Sequence, residues 1–176
     1  MTDLSKVTFR TTTADDIPAL KALHAAAFKG NTEAELVEKV VQSGTDRLSM
    51  VAELEGAIVG HVLFTPVEIE REEVGKVEGA LGLGPMAVHP DHQRKRVGFE
   101  LLWAALSELG HQETPAVFVL GWPDFYQKFG FKPAFEWGLR WEHPADREVF
   151  MGLEMEKDFL SGPLGVVRYL PEFSAP

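Results

Sequence analysis

The chain has 176 residues, 45% of them hydrophobic and 25% charged, with no cysteine and a formal net charge of -10 at pH 7. That length buries a core without disulfides, and the missing cysteine excludes disulfides, thiolate-rich zinc sites and a cysteine nucleophile. The negative charge argues against nucleic acid or an anionic membrane as a partner, since both favour a basic face. No apolar run approaches the roughly 18 residues of a spanning helix. The opening MTDLSKVTFR lacks the basic and then apolar layout of a secretory signal, so a cytoplasmic location is expected. An anionic ligand would need a locally basic pocket.

Taken in chain order, VTFR from Val7 reads as a short strand. In TTTADDIPAL, Thr13 or Asp15 caps a helix with Pro18 near its first turn. Ile17, Leu20, Leu23, Ala27 and Phe28 recur at helical spacing and form its core stripe. Thr32 and Glu35 have capping-box spacing before a second helix with Leu36, Val37, Val40 and Val41 on its apolar face and Gly44 at its end. Residues 48–53 and 57–66 read as an antiparallel pair turning at Glu55 and Gly56. The glutamate-rich stretch VEIEREEVGKVEGALG reads as a strand end passing into an exposed loop. LGLGPMAV is apolar but contains Gly82, Gly84 and Pro85; a proline has no N–H to give a ladder, so this strand is expected to be bulged or unpaired on one edge.

RVGFELLWAALSELG is the clearest helix, with Val97, Leu101, Leu102, Ala105, Leu106 and Leu109 on one face and Gly110 as its stop. AVFVL, residues 116–120, is a strand buried on both faces. A short aromatic helix, PDFYQKFG, follows, then two strand candidates in FKPAFEWGLRW and VFMGLEM, then a tail rich in Gly and Pro. Neither an internal repeat nor a dividing linker is visible, so one domain over 1–176 is expected, with a core of about 7–155 and a C-terminal extension over 156–176.

The order strand, basic loop, helix across LGLGPMAV, HPDHQRKR and VGFELLWAAL carries the chemistry. Unpaired amides and the positive end of a helix dipole meet at such a point, which binds phosphate. Arg94, Lys95 and Arg96 add local positive charge to an acidic chain, and Gly98 in the first turn admits a close approach.

AVHPDHQRKRVGFELL resembles the acetyl-CoA-binding motif of the GNAT superfamily of N-acetyltransferases, roughly V-x-P, then Q-x-x-G-x-G or A, then a helix. FYQKFGF resembles the aromatic segment after the next strand in small bacterial single-domain members, and the element order from Val7 to Met155 is similar as well. The resemblance implies an α/β fold with a mixed, mostly antiparallel sheet flanked by helices and a splayed strand pair that holds CoA. It implies cofactor contacts from Gln93, Arg94, Lys95, Arg96, Val97 and Gly98, and from the backbone of Met86, Ala87 and Val88 along the pantetheine arm. One position departs from the pattern: Arg96 stands where the first motif glycine is usual. Arginine is compatible with a right-handed first turn, so the backbone cradle survives there on the condition that the position keeps a negative φ, with the guanidinium turned toward a CoA phosphate.

With no cysteine, direct attack of a primary amine on the bound thioester is favoured over an acyl-enzyme relay. The resemblance puts Tyr126 at the departing sulfur. The base is open among Glu53, His61 and Glu78, each as readily structural. His89 and His92 lack a carboxylate or thiolate cluster, so no metal is expected. Trp103, Trp122, Trp137 and Trp141 read as core or cleft-wall residues, Trp122 being the one expected to face the acceptor. The acceptor, small molecule or peptide, is not legible, and a homodimer is compatible with the resemblance. The alternative is a catalytically silent module that binds CoA or acyl-CoA for regulation.

Overall fold

A computed structural model describes residues 2–174. Its strands are β1 Val7–Thr11, β2 Leu48–Leu54, β3 Ala57–Pro66, β4 Glu68–Arg71, β5 Gly75–Val77, β6 Leu81–Val88, β7 Ala116–Leu120, β8 Lys132–Pro133, β9 Leu139–Trp141, β10 Phe150–Glu154 and β11 Gly165–Arg168. Its helices are α1 Ile17–Phe28, α2 Thr32–Ser43, α3 Val97–His111 and α4 Pro123–Tyr126. The pairing is mixed and mostly antiparallel, as the resemblance implied; the parallel ladders are β6 with β7 and β9 with β11. The chain forms two compact units, one of residues up to Phe64 with Pro85–Glu108, the other of Thr65–Gly84 with the residues from Leu109 onward.

In the first unit, β1 pairs with β2 from Val7↔Leu54 to Thr11↔Met50, and β2 pairs with β3 from Leu48↔Phe64 to Leu54↔Ala57. The β2–β3 turn is the expected two-residue one. Glu55 (φ 51°) and Gly56 (φ 84°) are both left-handed, which matches the right-handed twist of the strands they join. Leu20 of α1, Val37 and Val40 of α2, Val51 and Leu63 form the core between helices and sheet. Two helix starts differ from expectation. Thr13 begins a 3-10 turn ahead of α1, its N–H donating to Asp16 Oδ2 at 2.7 Å, and Asn31 rather than Thr32 precedes α2.

Phe28, expected in the core stripe, is 42% exposed, and His24 is fully buried instead. His24 Nε2 lies 2.8 Å from His61 Nδ1, and His61 Nε2 lies 2.8 Å from Ser49 Oγ. His24 Nδ1 is buried without a partner. A bare ring nitrogen is cheaper to bury than an orphaned N–H, so His24 carries its proton on Nε2 and donates to His61, which donates to Ser49. This assigns a tautomer to each ring and removes His61 from the candidates for a solvent-linked base. Glu53 is engaged as well, accepting from Arg10 Nε at 3.0 Å.

The second unit contains the first half of β6, which runs parallel to β7 from Leu81↔Val117 to Leu83↔Val119. β7 pairs with β10, and β10 with β8. A second sheet has the order β5-β4-β11-β9. Here the glutamate-rich stretch corrects the sequence reading: it is a hairpin, β4 to β5, turning through Glu73 (φ 63°) and Gly75 (φ 93°). Ile69, fully buried, anchors it in a core with Phe118, Phe150, Leu160 and Val167. The tail also contributes β11, held in place because Arg71 of β4 donates to the carbonyls of Leu160 and Pro163.

Burial lowers His24 to about 4 from an ordinary 6.5, and burial and the neighbouring ring lower His61 well below it. Both are neutral when folded, so the unfolded chain binds more protons as pH falls below 6.5. Stability is then lost downward from about pH 6.5, by roughly 1.4 kcal/mol per unit for each ring, with the His24 part fully lost below about 4. Asp16, held at about 2 chiefly by its hydrogen bonds from Arg10, adds a loss only as pH falls below its ordinary 3.8. Urea unfolding between pH 7 and 4 should show the histidine slope, and the double variant His24→Leu with His61→Leu should flatten it. An unchanged slope in that variant would contradict the assignment.

Candidate active site

The segment from Met86 to Gly98 lies within the first unit. The His89 N–H donates to Val59 O at 2.8 Å, so the main chain of His89 faces β3. Strand alternation turns Ala87 the same way and leaves the main-chain groups of Met86 and Val88 on the opposite edge of β6. The other half of that edge is occupied by β7 only as far as Leu83, after which Gly84 (φ 144°) and Pro85 break the ladder. The unpaired edge expected at Pro85 is therefore present, where the pairing with β7 ends.

Beyond β6 the chain makes a short 3-10 turn, Pro90–His92. The Gln93 side chain reaches back to donate to Val88 O at 2.9 Å, tying the loop to the strand end, and Lys95 Nζ donates to Asp91 O at 2.8 Å. Arg94 (φ 61°) and Arg96 (φ 67°) are both left-handed. The condition of a negative φ at Arg96 is not met: α3 begins one residue later, at Val97, and Arg96 forms the turn that leads into it. Left-handed residues in a turn aim successive amides to one side and so form an anion-binding concavity. The reason a glycine suits this position is now plain, because a Cβ opposes a left-handed backbone.

The guanidinium of Arg96 lies 4.7 Å from the centre of the Phe99 ring, and Nη2 donates to Glu100 Oε1 at 3.2 Å. Gln93, Arg94, Lys95 and Arg96 are all exposed. Glu100 N donates to Arg96 O at 3.0 Å, the first helical bond of α3, so the Val97 and Gly98 amides precede any intrahelical carbonyl. A Cβ on Gly98 would sit 3.3 Å from Val88 Cγ2 and 3.5 Å from Met86 Cε. Gly98 thus lets α3 start hard against β6. Val97, 1% exposed, anchors the same start from the core.

Tyr126 belongs to the second unit, at the end of α4. It is buried, edge-on to Phe125 and Phe131 with ring centres 5.0 and 5.6 Å away. Burial pushes its phenol up to about 12. Among the remaining candidates, Glu78 is exposed on the chain before β6. Trp122 and Trp103 are 82% and 58% exposed and are not core residues, whereas Trp137 and Trp141 pack on the second unit's core. Among the described residues no group of three His, Cys, Asp or Glu is placed to hold a metal, and no helix is long and apolar enough to cross a membrane.

Comparison with known proteins bears on this geometry. A family model described as an acetyltransferase (GNAT) domain matches residues 8–134. The chain is 31% identical over 160 residues to YhbS of Escherichia coli K12, an uncharacterised N-acetyltransferase, covering 90% of this chain and 93% of that one. It is similar in structure to E. coli YhbS in complex with CoA, with a TM-score of 0.88, 28% identity and coverage of 97% and 93%. A GNAT family acetyltransferase from Brucella melitensis in complex with acetyl-CoA gives 0.77, 27%, and coverage of 95% and 97%. The chain belongs to the GNAT family of acetyltransferases.

The left-handed turn yields a test of sign. A non-glycine residue in this conformation costs about 1–2 kcal/mol, offset for glycine by roughly 0.4–1 of extra unfolded-chain entropy. Arg96→Gly and Arg96→Ala lose the same side-chain contacts, so their difference isolates the backbone. The glycine variant should unfold in urea about 1 kcal/mol later than the alanine variant. The reverse order is expected of a right-handed helical position and would contradict the turn.

Proposed function

We propose that the chain binds acetyl-CoA at the turn Gln93–Gly98 and along the free edge of β6, and transfers the acetyl group to a primary amine of a small-molecule or peptide acceptor by direct attack in a ternary complex. The observation that carries this reading is the pair of left-handed residues, Arg94 and Arg96, opening onto the amides of Val97 and Gly98 at the start of a 15-residue helix. CoA and acetyl-CoA in the YhbS and Brucella structures support it.

The pyrophosphate would take the main-chain amides of the turn, and Arg94 and Lys95 would supply charge. Arg96 can join them, since its exposed pairing with Glu100 is worth at most about 1 kcal/mol and yields to a phosphate. Met86 and Val88 would hydrogen-bond to the pantetheine arm, Ala87 supplying the strand between them, and one amide would stabilise the tetrahedral oxyanion. The amine attacks the thioester carbon, the C–S bond breaks, and the amine proton ends on solvent while the thiolate accepts a hydrogen bond from Tyr126. With Tyr126 near 12 and a thiol near 8.5, complete transfer of its proton would run uphill by about 5 kcal/mol. Tyr126 therefore acts as a neutral donor to the departing sulfur rather than as a full acid. The whole of 1–176 is taken as one N-acetyltransferase domain on this reading.

Incubating the purified chain with acetyl-CoA and a panel of amines, while following free thiol and product mass, tests the activity. Turnover on at least one amine is expected; coenzyme binding without turnover on any would favour the silent regulatory module. For a productive amine, Tyr126→Phe should lower kcat by about 100-fold with the dissociation constant for CoA within about twofold of the parent. An unchanged kcat would remove Tyr126 from the reaction.

A further inference from the structure

Two glycines of the second unit are kept bare by tyrosine rings. A Cβ on Gly121, just past β7, would meet Tyr126 Cε2 at 2.5 Å; a Cβ on Gly82 in β6 would meet Tyr169 Cε2 at 2.6 Å and Cζ at 2.7 Å. Side chains do not occupy such distances, so each ring lies where glycine alone fits. Tyr126 already has a role above. Tyr169, which follows β11, has none.

The Tyr169 ring is enclosed edge-on by Phe173 and Trp141, with centres 5.4 and 6.4 Å away. Its hydroxyl is buried and has no hydrogen-bond partner among the described residues. A buried phenol that gives up water without gaining a partner destabilises the fold, so such a group points to a partner that arrives. A second buried hydroxyl of this unit lacks a partner as well. Val67 Cγ1 also lies 2.8 Å from the Cβ position of Gly82, and Thr65, two residues earlier, is fully buried with an unpartnered hydroxyl. Gly82 is paired with Phe118, one step before the β6–β7 ladder ends at Leu83↔Val119. The ring that carries the unsatisfied Tyr169 hydroxyl thus lies beside the place where those strands stop pairing. Burial, and secondarily the nearby Tyr126, pushes Tyr169 above the ordinary tyrosine range, so its hydroxyl keeps its proton.

We propose that Tyr169 is a ligand-binding residue of the transfer site, its hydroxyl donating a hydrogen bond to a carbonyl oxygen of the acyl-pantetheine arm where the β6–β7 pairing ends. The amide and thioester carbonyls of that arm are acceptors of the kind a lone phenol lacks. This deepens the acetyl-CoA reading and rests on it.

Tyr169→Phe leaves the ring on Gly82 and removes only the hydroxyl. Without ligand, its melting temperature should equal or exceed that of the parent, because no protein partner is lost. Its affinity for acetyl-CoA by calorimetry should fall about three- to tenfold. Parent-like affinity in the variant overturns the role of Tyr169 and leaves the acetyl-CoA reading standing; a parent that binds no acetyl-CoA overturns both. A lower melting temperature with unchanged affinity also refutes the role, by making the hydroxyl structural.

A second measurement does not depend on that variant folding. The chain has two tyrosines, so in Tyr126→Phe the only tyrosine is Tyr169. With carbon-13 tyrosine its Cζ resonance should shift when acetyl-CoA is added, and an unmoved resonance overturns the proposal.

Discussion

The start of α3 is pressed so closely onto β6 that a side chain at Gly98 would crowd Val88 and Met86. That contact fixes how far the intervening loop must travel and how sharply it must turn. Gln93 fastens the loop to the end of β6, and the backbone then reverses through left-handed Arg94 and Arg96 to enter the helix. Amides that would otherwise scatter are gathered on one side, at the positive end of a helix dipole. On the proposed reading an acidic chain would thereby hold phosphate largely through its main chain, which a net charge of -10 does not weaken as it would a diffuse basic patch.

The chemistry asked of the side chains is correspondingly modest. Tyr126 and Tyr169 are both neutral phenols in apolar surroundings, suited to donate hydrogen bonds and unsuited to carry charge. Of the three groups that strand position suggested as bases, Glu53 is engaged by Arg10 and His61 by His24 and Ser49, while Glu78 is exposed. On the proposed reading, direct transfer through proximity, with the amine losing its proton to solvent, asks for no charged side chain.

Much of this was legible from residues alone, and the failures have physical causes. Hydrophobic period and turn residues marked α1, α2, α3 and the β2–β3 hairpin, because each buries one face against its own neighbours in sequence. The β4–β5 hairpin was hidden by its charges: Ile69 shares its inward face with a buried Arg71, and three residues of β5 leave no alternation to detect. β11 was hidden for a related reason, since GVVR becomes a strand through partners far away in the chain, β4 and β9. At the site, the motif located the turn but not its conformation. Arginine at position 96 is compatible with a right-handed turn, yet its φ is 67°, left-handed, in the turn that leads into α3. His24, lying outside the apolar stripe, and Tyr169, in what read as a tail, gave no periodic signal; their significance comes from what each hydroxyl or ring nitrogen lacks once folded.

A crystal structure of the chain grown or soaked with CoA tests the central claim most directly. The account predicts pyrophosphate oxygens within hydrogen-bond distance of the main-chain nitrogens between Arg94 and Gly98, with the turn keeping its left-handed residues. Coenzyme bound elsewhere with that turn empty would contradict it.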